Sequence, residues 1–145
     1  MILFDYNLIF YVIENCCVQN ECWTFTTKGL ATIGQDEIMV LIECLPDEDT
    51  FPRDIFRLFT TVYDSAFKGN TFSELNHIIF HDGLFGNPEN SGFLFIRPTL
   101  QCFNNLVLPS PPFLVALLFH KFEIPWVKVF PLRLILRLGA EYRCK

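Results

Sequence analysis

Residues 21–45 read ECWTFTTKGLATIGQDEIMVLIECL, Glu21 to Leu45. Trp23 and Phe25 alternate with Thr24 and Thr26, a period of two in strand-favouring residues, which predicts a half-buried strand. Lys28-Gly29 then offers a turn in which glycine takes a positive φ, and Leu30 to Ile33 reads as a short return strand. Gly34-Gln35-Asp36 turns the chain again. Ile38 to Cys44, IMVLIEC, is apolar on both faces until Glu43, as a central strand covered on both sides must be. The stretch is expected to form a three-stranded meander with Trp23, Phe25, Ile38, Val40 and Ile42 in the core.

Downstream, Leu45-Pro46-Asp47-Glu48-Asp49-Thr50 is an acidic loop that ends in two capping residues, and Pro52 sits where a helix has its first turn. Ile55, Phe59, Val62 and Ala66 recur at three- and four-residue steps, with Phe56, Tyr63 and Phe67 widening the stripe, and Lys68-Gly69-Asn70 ends it. This helix is expected to pack on the meander. HIIFH, His77 to His81, and Phe93 to Arg97 predict a second β pair across the Gly-, Asn- and Pro-rich loop Gly83 to Gly92. Leu106 to Leu108 reads as a further strand, and Pro109-Ser110-Pro111-Pro112 punctuates the chain. Phe113 to Lys121 reads as helix, Trp126 to Phe130 as extended, and Leu132 to Leu138, between Pro131 and Gly139, as helix. The fold class is therefore α+β: a mixed or mainly antiparallel sheet with packed helices, in a single domain over residues 1–145.

A chain of 145 residues suits one core. Hydrophobic residues make up 51% of it and seventeen are phenylalanine, more than a lone small domain is expected to hide. That surplus predicts an incomplete part of a larger domain, with apolar side chains turned to a partner or to the rest of the same polypeptide. The mean hydropathy of +0.31 raises the question of a membrane span. Phe113 to Leu138 is interrupted by His120, Lys121, Glu123, Pro125, Lys128, Pro131, Arg133 and Arg137, so direct membrane insertion is not expected. The N-terminal MILFDYNLIFYVIENCC lacks a basic segment and a small-residue cleavage site and is not read as a signal peptide. Six cysteines in a chain that has enough core are expected to be free thiols. A net charge of −5 and a pI near 5.1 argue against nucleic acid, or an acidic membrane, as the main partner, without excluding either locally.

No pattern points to catalysis. His77 and His81 share a strand face or stand one helical turn apart, and Asp82 and Cys102 are further ligand types, but Ile78 stands where a zincin carries its glutamate base. Cys16-Cys17 and Cys22 have neither redox-dithiol nor zinc-knuckle spacing. There is no nucleophile elbow, and the Gly83 to Asn87 loop lacks a phosphate loop's Gly-Lys-Ser/Thr ending. Asp47-Glu48-Asp49 is a solvated loop without calcium-loop spacing. Lys128, Arg133 and Arg137 form the basic cluster of note. They are either surface cations on an amphipathic element or an electrostatic dock for an acidic peptide, which guanidinium groups suit.

Residues 17–70, CVQNECWTFTTKGLATIGQDEIMVLIECLPDEDTFPRDIFRLFTTVYDSAFKGN, together with ELNHIIFHDGLFGN (74–87), GFLFIRPT (92–99) and KVFPLRLILRLGAEY (128–142), closely resemble the C-terminal domain of the SARA and endofin family. These are FYVE-finger scaffolds of early endosomes, SARA being the Smad anchor for receptor activation. The resemblance implies a non-catalytic, cytoplasmic scaffold or adaptor, peripheral to the early endosome membrane. Its expected setting is transforming growth factor-β/Smad-type receptor signalling and endosomal trafficking, with receptor cytoplasmic tails or other signalling and trafficking proteins as partners. The finger that holds zinc and reads phosphatidylinositol 3-phosphate has no counterpart in these residues, so no cofactor is expected here. The competing readings are an unrecognised hydrolase or metal-dependent enzyme built on His77 and His81, and a purely structural domain.

Overall fold

The computed structural model describes residues 2–3, 9–13, 22–43, 53–97 and 113–134. They build a seven-stranded mixed sheet flanked by helices, the α+β class expected. In chain order the strands are β1 (Ile2–Leu3), β2 (Ile9–Ile13), β3 (Cys22–Lys28), β4 (Glu37–Glu43), β5 (His77–Ile79), β6 (Asn90–Ile96) and β7 (Phe113–His120). Across the sheet they run β1-β2-β3-β4-β7-β6-β5. Every neighbouring pair is antiparallel except β4 with β7, which is parallel. The N-terminal stretch weighed above as a leader thus supplies β1 and β2.

The opening stretch forms a hairpin, not a meander. β3 and β4 pair directly, from Cys22 opposite Glu43 to Thr26 opposite Met39. The expected return strand is a 3-10 turn, Leu30–Ile33, fenced by Gly29 at φ 119° and Gly34 at φ 81°. Both values lie in the left-handed region where a side chain is strained. The turn is held from below by Glu37, whose carboxylate is buried at the start of β4. Its Oε1 accepts from Thr27 Oγ1 at 3.0 Å and Leu30 N at 3.1 Å, and its Oε2 from the N–H groups of Gly29 and Ala31, each at 3.3 Å. An extended chain could not aim three consecutive N–H groups at one carboxylate; a tight helical turn does. Thr27 Oγ1 in turn accepts from Ile38 N at 2.8 Å. β3 is also not half-buried, because Thr26 and Thr27 are as buried as Phe25.

β4 is the central strand anticipated, with Ile38, Met39 and Val40 all inaccessible. α1 (Ile55–Phe67) packs Ile55, Leu58, Phe59, Val62 and Ala66 on one sheet face, against Phe25, Ile38, Val40, Phe93, Phe95, Leu114 and Ala116. Phe56 and Tyr63 widen that stripe as expected, whereas Phe67 is exposed beyond it, at the last residue of the helix. Lys68 and Gly69 close the helix, with Gly69 at φ 91°. Asp49, Thr50 and Pro52, expected to start it, lie outside the described residues, as do Leu106 to Leu108, Cys102 and Pro109 to Pro112. The side chains of Trp23 and Ile42 lie outside the described residues as well.

Three further expectations are corrected. Phe113 to Lys121 is the strand β7, not a helix. In FLVALLF every position is apolar, so the run has no period to read, and its place between β4 and β6 buries Leu114 and Ala116 on one face and Phe113, Val115, Leu117 and Phe119 on the other. Trp126 to Phe130 is not extended: α2 (Ile124–Val129) begins with Pro125 in its first turn, where the fixed φ of proline favours a helix. β6 begins inside the expected loop, at Asn90. Gly92 is required there, since a Cβ would run into the Ile78 carbonyl oxygen of β5 and come within 2.7 Å of the Phe119 ring.

Replacing Glu37 by Gln turns an amide NH2 toward buried N–H donors. The expected loss of stability is about 2–3 kcal/mol, the cost of leaving buried donors unpaired, read as a fall in the urea midpoint at unchanged slope. A loss below about 0.5 kcal/mol would show that the turn holds itself.

Candidate functional site

Residues 120–134 read HKFEIPWVKVFPLRL and turn from β7 into a 3-10 turn (Lys121–Glu123), α2, and a further helical turn over 131–134. Glu123 fixes the entry: it is buried, and its Oε1 accepts from the His120 N–H at 2.9 Å. Lys121 N donates to Glu89 O at 2.7 Å, tying the turn to the loop before β6. Val127 and Leu134 point inward and pack on Leu94 and Phe119, with Ile79, Ile96 and Ile124 alongside. Leu94 and Phe119 belong to the sheet face opposite α1, so this segment forms the third layer.

The other side of the same segment is also apolar. Phe122, Trp126, Val129, Phe130 and Leu132 are each exposed by 40% or more. Phe122 lies in the 3-10 turn, Trp126 and Val129 in α2, and Phe130 just after it, so the exposed apolar side chains run through successive turns of the segment. The rings are ordered among themselves: His120 stacks on Phe122 with centroids 5.8 Å apart, and Trp126 meets Phe130 at 6.2 Å. The Arg133 guanidinium lies 5.2 Å from the Phe130 ring centre, a cation–π contact. Lys121, Lys128 and Arg133 are all exposed on this segment. Its one carboxylate among the described residues, Glu123, is the buried cap. The face is thus apolar and locally cationic on a chain of net charge −5.

Of the three basic residues singled out from sequence, Arg133 lies against Phe130 on this face, Lys128 is exposed on the same segment with its charge near His77, and Arg137 lies outside the described residues. The aromatic residues beside them were not anticipated. Their signal was a stripe on each side of residues 122–134, legible once Pro125 is taken as a helix start. The alternative set is not brought together. His77 lies on β5 and shares by alternation the Ile79 face, toward α2, while His81 is exposed in the turn that follows. Asp82 is engaged by Arg57, whose Nη2 donates to Oδ1 at 2.6 Å. That hydrogen bond holds the Asp82 carboxyl below its ordinary range. Arg57 also donates to Gly83 O at 3.0 Å and covers the Phe80 ring at 4.9 Å, so the cluster clips the 80–83 turn to α1. No group of three or more metal-ligating side chains occurs among the described residues.

The model of the family described as Smad anchor for receptor activation-like, C-terminal, matches residues 108–145, which include β7 and the whole outward face. Over 126 residues, 87% of the chain, the sequence is 51% identical to human zinc finger FYVE domain-containing protein 9. It is 52% identical over 121 residues, 83% of the chain, to mouse zinc finger FYVE domain-containing protein 16. The chain spans 9% and 8% of the lengths of those two proteins.

Burial beneath the third layer, and then the nearby Lys128 charge, lower the His77 pKa below 6.5. The unfolded chain then binds a proton that the folded chain does not, so stability rises with pH through this window and falls as acid protonates His77. A histidine-resolved NMR titration should place the His77 midpoint below 6.5, and Lys128→Gln should raise it only in part, because burial is the larger cause. A midpoint above 6.5 would refute this placement of His77.

Proposed function

The chain belongs to the family of Smad anchor for receptor activation-like C-terminal domains, and on that premise we propose that it is a non-catalytic interaction domain of an early-endosomal scaffold. Its setting is transforming growth factor-β/Smad-type receptor signalling and endosomal membrane trafficking. The observation that carries this reading is the outward face of residues 121–133. A helix that is apolar on both sides is built to be covered on both, and here the sheet covers one.

The domain works by docking. Lys128, Arg133 and Arg137 supply positive charge for an acidic partner, and the aromatic side chains supply the apolar area from which most binding energy comes. Receptor cytoplasmic tails, other signalling and trafficking proteins and the rest of the same polypeptide are its partners. The domain takes no cofactor of its own, zinc belonging to the FYVE finger of the scaffold, and it acts on the cytoplasmic side of the early endosome membrane.

Co-precipitation of receptor cytoplasmic tails with the chain, against a charge-matched control, tests the role. Enrichment over the control is expected, and its absence sinks the receptor assignment. Lys128→Glu with Arg133→Glu and Arg137→Glu should reduce capture by tenfold or more, at about 1 kcal/mol or less for each exposed charge lost and a further penalty for each reversed. The circular dichroism spectrum should not change; a lost fold would mark those residues as structural instead.

A further inference from the structure

The strand order leaves β5 at one edge of the sheet, and its hydrogen bonds settle which main-chain groups face outward. Phe95 N donates to Asn76 O at 2.9 Å and Phe80 N to Ser91 O at 2.7 Å, with Ile78 opposite Phe93 between them. Asn76, Ile78 and Phe80 therefore turn their main-chain groups to β6. Antiparallel pairing alternates, so the N–H and C=O groups of His77 and Ile79 point away from the sheet. Among the described residues no other strand pairs with β5, and no further main-chain bond engages either residue. Groups spaced in this way fit one kind of occupant: another extended chain, whose own N–H and C=O groups answer them in register.

Proteins commonly close such an edge with proline or lysine on the strand itself. β5 reads His-Ile-Ile and carries neither. The cation beside it belongs to α2: Lys128 is exposed, and its charge acts on His77. No carboxylate is printed within salt-bridge reach of Lys128 among the described residues, and Asp82 just beyond the strand is held by Arg57. Lys128 therefore discriminates between occupants. A symmetric pairing of β5 with β5 of a second copy would bring both Lys128 side chains to one short ladder, like charge against like. A strand that carries carboxylates gains from the same lysine. Side chains alternate along a strand, so an added one presents every second side chain to the face on which His77, Ile79 and α2 lie.

We propose that β5 takes an extended acidic peptide as an added edge strand, bonded through the N–H and C=O groups of His77 and Ile79, with a peptide carboxylate set toward Lys128. This goes beyond the docking role of residues 121–133: the surface is a different one, shares only Lys128 with it, and recognises main chain first and charge second.

The probe is a synthetic peptide of about eight residues, a common strand length, in which glutamate alternates with threonine and valine. Amide hydrogen exchange of the chain, resolved by NMR, reads the contact. In the free chain His77 and Ile79 should exchange fast and Phe80 slowly. Saturating peptide should slow His77 and Ile79 by about tenfold or more and leave Phe80 unchanged. Lys128→Glu should weaken binding by roughly tenfold, and the same peptide with lysine for glutamate should bind the unaltered chain as weakly. His77→Pro removes an outward donor and none of the bonds to β6, so it should abolish binding while Phe80 stays protected. If that variant does not fold, the exchange of His77 and Ile79 in the unaltered chain decides. Fast exchange that the peptide leaves unchanged overturns the inference. Slow exchange at both residues before peptide is added overturns it as well, because the edge is then already covered. A concentration-dependent dimer in sedimentation that protects the same amides would make β5 a self-interface and overturn it too. If the peptide does not bind but receptor tails are still captured, only the edge strand falls; if it binds and the tails are not captured, only the receptor assignment does.

Discussion

The buried carboxylate of Glu37 is the interaction on which the rest of the sheet depends. Four donors converge on it, three of them backbone N–H groups of residues 29–31, so the connection between β3 and β4 cannot shift without stranding several polar groups in the core. Its neighbours extend the clamp. Gln35 Oε1 accepts from Phe72 N at 2.7 Å and its Nε2 donates to Phe72 O at 3.0 Å, which fixes the segment leading to β5. Asp36 Oδ2 accepts from Arg97 Nη2 at 2.5 Å, and Arg97 Nη1 donates to Phe113 O at 3.3 Å. Three consecutive side chains thus bind the hairpin, the approach to β5, and the β6–β7 boundary.

That clamp sits where the sheet is weakest. The parallel join of β4 and β7 rests on Glu37 with Phe113, Ile38 with Leu114 and Met39 with Val115. Parallel pairs are slightly less stable per residue than antiparallel ones, and this join closes a crossover that includes α1 and the β5–β6 pair. Polar contacts at its first residue set the register. A slip of one position would exchange Leu114 and Ala116 for Val115 and Leu117 beneath α1. Because β7 runs directly into residues 120–134, its register also decides where the outward face stands. Eight residues of strand span about 26 Å, so the polar end of the sheet positions a face nearly the length of the strand away.

How far this could be read from sequence follows from what each residue answers to. The α1 stripe was legible because its period is local, and so was the central strand because Ile38 to Ile42 is apolar without interruption. The role of Glu37 was not: its partners are mostly backbone groups six to eight residues upstream, which have no letter in the sequence, and Gly29 and Gly34 suit a hairpin turn as readily as the ends of a 3-10 turn. β7 was missed because an all-apolar run carries no period, and α2 because proline starts helices as well as ending them. Of the candidate site, the cations were legible as charges on an apolar background. The aromatic stripe around them depended on α2 and was lost with it.

The apolar surplus of the composition has a location. Among the described residues six large hydrophobic side chains are exposed, and five of them fall between Phe122 and Leu132. Scattered exposed apolar residues are ordinary on any surface and call for no explanation. Concentration in one short segment does, because each such side chain forgoes about 1.5–3 kcal/mol of burial that a different residue would not need. The segment is not apolar by default. Its inward positions alone, Val127 and Leu134 with Ile124, fasten it to the sheet, and polar residues at 122, 126, 129 and 130 would leave that fastening intact. The outward stripe therefore answers to something other than the fold, and the Arg133 guanidinium over the Phe130 ring sets one positive charge at its edge.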